Sequence, residues 1–150
     1  MNQDFLDLLR LLILARARFI VVGAHAMAVH GVPRATGDLD VWVDPEPANA
    51  GLVWKALLEF GAPVSDVGIS REDLEQPGFV IQIGQPPRRI DLLTGISGVM
   101  FAEAWPNRVL HTVEDLSIPF LGQGDLIRNK RATGRPKDLV DLDLLERGRS

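Results

Sequence analysis

Asp38-Leu-Asp-Val-Trp-Val-Asp44 is the stretch that decides the fold. Acidic and apolar residues alternate along it with a period of two, the signature of a strand whose faces meet different surroundings. Side chains two apart on a strand leave from the same face, so Asp38 and Asp40 stand side by side. Upstream, Arg18-Phe-Ile-Val-Val-Gly23 is a short apolar run closed by glycine, as expected of a buried strand. Ala24 to His30 then predicts a short helix stopped at Gly31, and Val32 to Gly37 a turn-rich loop leading into the acidic strand.

Further out, Phe5, Leu8, Leu9 and Leu12 recur at helical spacing and predict an amphipathic first helix. Pro45 and Pro47 open a helix over about 48–60 that ends at Gly61. A helical turn is expected near Ser70 to Leu74. Phe79–Ile83 and Arg89–Leu93 read as two strands joined by a tight loop. Phe101–Trp105 should be helical, Val109–Val113 and Ile118–Leu121 short strands. Asp125–Ala132 and Lys137–Arg147 should form closing helices parted by Gly134 and Pro136. This order predicts an α/β (α+β) class with one mixed sheet flanked by helices, in a single domain over residues 1–150.

Composition narrows the function classes. With 46% hydrophobic and 24% charged residues the 150-residue chain is an ordinary globular one. The lack of cysteine removes disulfide frameworks, thiolate metal sites and a cysteine nucleophile. A net charge of −4 argues against a basic nucleic-acid coat. The apolar start carries Asp4 and Asp7 where a leader would be cationic, and no run reaches membrane-spanning length, so a cytoplasmic protein is expected. Five of the sixteen basic residues fall between Arg128 and Lys137, as a solvated helix face or a site for an anion.

The chemistry centres on the acids. Two carboxylates on one strand face repel each other, and a cation must offset that. Hard divalent ions such as Mg²⁺ or Mn²⁺ take oxygen ligands of this kind. Asp91, flanked by Ile90 and Leu92 on a later strand, offers a third. If the two strands adjoin, Asp38, Asp40 and Asp91 could hold two metals about 3.5–4 Å apart. The strand–Gly23–Ala24–helix turn offers backbone amides to a phosphate. The basic run offers side chains to a triphosphate, with Lys130 the first choice against the plainer reading of a solvated helix lysine.

The spacing Val22-Gly23-Ala24, thirteen residues, Asp38-Leu39-Asp40-Val41 and later Ile90-Asp91-Leu92 resembles the nucleotidyltransferase superfamily, with its polymerase-β-like fold. Gly23-Ala-His-Ala-Met-Ala-Val-His-Gly31, Arg34-Ala-Thr36-Gly-Asp38-Leu-Asp40 and Lys130-Arg-Ala-Thr-Gly-Arg-Pro-Lys137-Asp138-Leu-Val-Asp141 are similar to the small bacterial AbiEii-type toxins. The resemblance implies a minimal nucleotidyltransferase fold and transfer of a nucleoside monophosphate from a triphosphate to an acceptor hydroxyl on RNA or protein. It also implies Mg²⁺ at Asp38 and Asp40, a second metal and base function at Asp91, and an antitoxin as possible partner. Arg34 and Thr36 would belong to the active-site loop; otherwise Thr36 caps the turn and Arg34 pairs with an acid. Lys137, a cation at a helix start, is electrostatically misplaced there and suggests a ligand or an acidic partner. Ala24 stands where the pattern has Gly or Ser, which removes a phosphate-binding hydroxyl. A catalytically weak nucleotide-binding or toxin–antitoxin interaction module is the alternative. A haloacid-dehalogenase-like phosphatase also begins with D-x-D, but there the first Asp ends an apolar strand, whereas a loop precedes Asp38. His25 and His30 are read as structural.

Overall fold

The computed structural model describes residues 1–34 and 37–148. Helix α1 (Gln3–Leu14) buries Phe5, Leu8, Leu9 and Leu12, with Asn2 accepting from the Phe5 amide as its cap. Strand β1 (Phe19–Val22) is buried on both faces and turns at Gly23 into helix α2 (Gly23–Val29). The acidic stretch forms strand β2 (Leu39–Val43), with Asp38 immediately before it. Helix α3 (Pro47–Phe60) follows. Glu46 caps its start by accepting from the Ala48 and Asn49 amides, and Gly61 ends it in the left-handed conformation at φ 86°.

Strands β3 (Val80–Ile83) and β4 (Ile90–Leu93) form the expected hairpin. After helix α4 (Phe101–Ala104) come β5 (Val109–Val113) and β6 (Leu116–Phe120), then helices α5 (Gln123–Thr133) and α6 (Pro136–Arg147), parted at Gly134. The six strands make one mixed sheet in the order β3-β4-β2-β1-β6-β5. Strand β2 runs parallel to β4 and antiparallel to β1, while β1 runs parallel to β6. The α/β class and the mixed sheet flanked by helices are as the sequence predicts.

The register brings the acids together. Asp40 lies opposite Val22 of β1 and opposite Asp91 of β4. Two acids from distant parts of the chain thus meet across a parallel pair, near the end of β1 where α2 begins. Leu39 and Val41, on the other face of β2, are fully buried, as are Ile90 and Leu92 beside Asp91. Trp42 is buried although it shares a face with Asp40, both being even-numbered positions of one strand. Phe101 of α4 covers it edge-on at 5.0 Å. The acid face is therefore open only at one end of the strand. Among the described residues no helix is long and apolar enough to cross a membrane.

Candidate active site

A cleft of about 580 Å³ opens over the paired acids. Its floor is Asp38, Asp40, Asp91 and Arg89, and Gly23, Ala24 and Met27 of α2 form one side. Arg34, Lys130, Arg135, Lys137 and Asp141 form the opposite wall. The candidate catalytic, metal and nucleotide-binding residues Gly23, Ala24, Arg34, Asp38, Asp40, Asp91, Lys130 and Lys137 all line this cleft, while Thr36 lies outside the described residues.

Gly23 explains how closely the elements approach. It adopts φ 68°, and a Cβ there would stand 2.2 Å from Asp40 Oδ2. Only glycine lets the turn lie against the carboxylate without strain. Gly23→Ala is expected to displace Asp40 and to destabilise the protein by about 1–2 kcal/mol, the cost of a side chain in the left-handed region. A thermal melt together with a Mg²⁺ titration reads both effects.

The floor is crowded with like charge. Burial first, then the neighbouring Asp91 and Asp38, push the Asp40 carboxyl up to about 6 from its ordinary 3.8. The unfolded chain gives up this proton near 3.8, while folded Asp40 keeps it until about 6. Folding therefore takes up a proton in that window, and the Asp40 contribution weakens stability as pH rises from about 4 to 6. Asp40→Asn is expected to remove this fall, raising stability at pH 7–8 by an amount on the order of 1–3 kcal/mol. Melts across pH 4–8 check it; parallel curves for the two proteins would contradict it.

Arg89 is the floor residue that sequence reasoning missed. Its Nε donates to Asp91 Oδ1 at 2.7 Å and its Nη2 to Asp91 Oδ2 at 3.1 Å. The same Nη2 stands 3.8 Å from Asp38 Oδ2, and the Arg89 backbone N–H donates to Asp38 Oδ1 at 3.1 Å. A signal was present: Arg89 and Asp91 are two apart at the start of a strand, which puts them on one face.

The wall is a network of ion pairs. Lys130 Nζ lies 3.1 Å from Asp141 and 3.5 Å from Asp138, and its side chain is only 12% exposed. Asp138 is fully buried at the start of α6, where it accepts from the Arg135 amide and guanidinium. This pairing holds its carboxyl well below the usual range. Arg34 pairs with Asp141, as its plainer reading expects, and it also lines the cleft. Lys137 lines the cleft too. The basic run does not act as a unit, however: Arg128 turns to Asp125 and Arg131 to Glu146, away from the cleft. Nor is Lys130 a solvated lysine. Its removal would strip a counter-ion from Asp138 and Asp141, so it contributes to the fold as well as to the wall.

His30 fits its structural reading, whereas His25 does so only in part, its Nε2 being buried with no hydrogen-bond partner among the described residues. The His30 Nε2 contacts the Leu121 carbonyl at 2.6 Å. Burial lowers the affinity of His25 for a proton, and its ring is hydrogen-bonded to the Asp38 backbone, which fixes the entry to β2.

The chain aligns with the crystal structure of a Thermotoga maritima protein described as a "putative nucleotidyltransferase", with a TM-score of 0.59 and 17% identity over 95% of this chain and 93% of that one. The fold is nucleotidyltransferase-like. No protein-family model and no curated protein matches the sequence. The paired acids at the start of β2 and β4 and the cations Arg34, Lys130, Arg135 and Lys137 line the same cleft.

Among the described residues no group of three side chains is arranged to hold a metal ion, and Asp91 is clasped by Arg89. The donor set nevertheless suits a hard divalent cation. It consists of carboxylate oxygens alone, and burial, with the neighbouring Asp91 and Asp38 second, makes a bare carboxylate at Asp40 unfavourable.

Proposed function

We propose that the protein is a metal-dependent nucleotidyltransferase that moves a nucleoside monophosphate from a nucleoside triphosphate to an acceptor hydroxyl. The observation that carries this reading is the register Asp40 opposite Asp91, which joins three acids at the foot of a cleft whose far wall is cationic. A triphosphate needs both: carboxylates for its accompanying cation and positive side chains for its own charge. Asp38 and Asp40 would hold Mg²⁺ or Mn²⁺, with Asp91 completing a second position once Arg89 releases it. The metal supplies neutralisation of phosphate charge and polarisation of the reacting phosphorus.

The chain's own residues do the rest. Arg34, Lys130 and Lys137 hold the polyphosphate, and the amides at Gly23 and Ala24 approach it from the side. The acceptor oxygen forms a bond to the α-phosphorus while the α–β anhydride bond breaks. Pyrophosphate leaves, and the hydroxyl proton passes to Asp91. The likeness of 23–31 and 130–141 to AbiEii-type toxins favours RNA or protein as acceptor and a neutralising partner protein.

One observation favours a weaker second reading. The wall cations Arg34, Lys130 and Arg135 are already paired with Asp138 and Asp141, and Ala24 lacks a hydroxyl. Both would suit a nucleotide-binding module with little turnover. Calorimetric titration with each triphosphate, with and without Mg²⁺, tests the shared part. Metal-dependent binding is expected, and a protein that binds neither metal nor triphosphate would end both readings.

A further inference from the structure

We propose that Arg89 is the built-in counter-cation of the carboxylate floor, and that it competes with a divalent cation for Asp91. This rests on the metal-dependent reading above. Two donors of one guanidinium engage both oxygens of Asp91, at 2.7 and 3.1 Å. The same residue reaches Asp38 through its main chain at 3.1 Å and its side chain at 3.8 Å. The fork geometry of arginine suits such two-point engagement, which a point-charge lysine cannot reproduce. The Arg89 side chain is 28% exposed and borders the cleft, so the guanidinium has open space to swing into. Across the cleft Lys130 is engaged by Asp138 and Asp141. Arg89 is thus the cation in direct contact with the floor among the described residues.

Asp91 offers both its oxygens to a metal only when Arg89 leaves the two-point contact. The apparent affinity for the metal is then reduced by the fraction of molecules in which Arg89 is displaced. An orienting role would have the opposite sign, since outer partners that hold a ligand in place raise metal affinity. The two accounts are separated by one variant.

Mn²⁺ binding by the full chain, read by electron paramagnetic resonance, is compared for wild type, Arg89→Gln and Arg89→Lys, alongside melts in chelator and in saturating Mn²⁺. Arg89→Gln is expected to bind Mn²⁺ about tenfold or more tightly than wild type. It should melt lower in chelator, a deficit that Mn²⁺ closes. Arg89→Lys should fall between the two. Equal or weaker binding by folded Arg89→Gln overturns the proposal, and if that variant does not fold, equal or weaker binding by Arg89→Lys does so. Wild-type binding without tightening in the variants sinks this proposal alone. No binding by any of the three sinks the metal reading and this proposal together.

Discussion

Replacing Asp38 and Asp40 together by asparagine is expected to abolish divalent-cation binding while leaving the protein as stable as before or more so. Most acidic pairs would not behave this way, since losing a partnered carboxylate usually costs stability. Here the floor holds more negative charge than Arg89 offsets, and Asp40 retains a proton up to about pH 6. Asparagine keeps the shape and the acceptor oxygen that receives the Arg89 amide at the Asp38 position. It removes the repulsion. At pH 7.5 in chelator the double variant should gain roughly 1–2 kcal/mol, a rise of about 2–8 °C in melting temperature for a domain of this size. In Mg²⁺ with a triphosphate the order should reverse, because only the wild type is stabilised by ligand. A wild type whose melt ignores metal even with nucleotide present would contradict the account of these two acids.

Asp91→Asn is expected to separate binding from transfer. Asp38 and Asp40 hold the cation that accompanies the triphosphate, whereas Asp91 acts on the acceptor hydroxyl, chiefly in the transition state. Nucleotide affinity should stay within about tenfold, roughly 1.4 kcal/mol, while transfer falls by about a hundredfold or more. The substitution also loosens the Arg89 clasp, since a neutral amide accepts from a guanidinium through one oxygen only. Some loss of stability is therefore expected, smaller than the loss of turnover. Equal losses of binding, stability and turnover would make Asp91 a structural acid.

Much of the fold was legible because its signals are local. The period-two alternation of 38–44, the helical repeat of 5–12 and the glycines at 31, 61 and 134 each act on a few neighbouring residues, and each element formed where they place it. The meeting of Asp40 with Asp91 was legible only as a condition, since neither strand states its neighbour. Pairing of β2 with β4 depends on helix α3 carrying the chain back over the sheet and on the β3–β4 hairpin presenting β4 as the inner strand. The cation network was less legible still. Lys130, Asp138 and Asp141 meet because α5 and α6 pack against each other across Gly134, and no spacing in 130–141 dictates that angle. Arg89 was overlooked because a basic residue before a strand reads as solvated until the acids beside it are known to be crowded. Trp42 shows how far parity reaches: it shares the acid face of β2, and only the packing of Phe101 of α4 accounts for its burial there.

The most direct measurement incubates the protein with α-labelled nucleoside triphosphates, Mg²⁺, RNA and protein acceptors, and follows label into macromolecule and pyrophosphate into solution. The account predicts incorporation matched by pyrophosphate release with wild type and none with Asp38→Asn/Asp40→Asn. Undiminished labelling by that double variant would contradict the role given to Asp38 and Asp40, and metal-dependent nucleotide binding by wild type with no transfer to any acceptor would contradict the enzymatic reading.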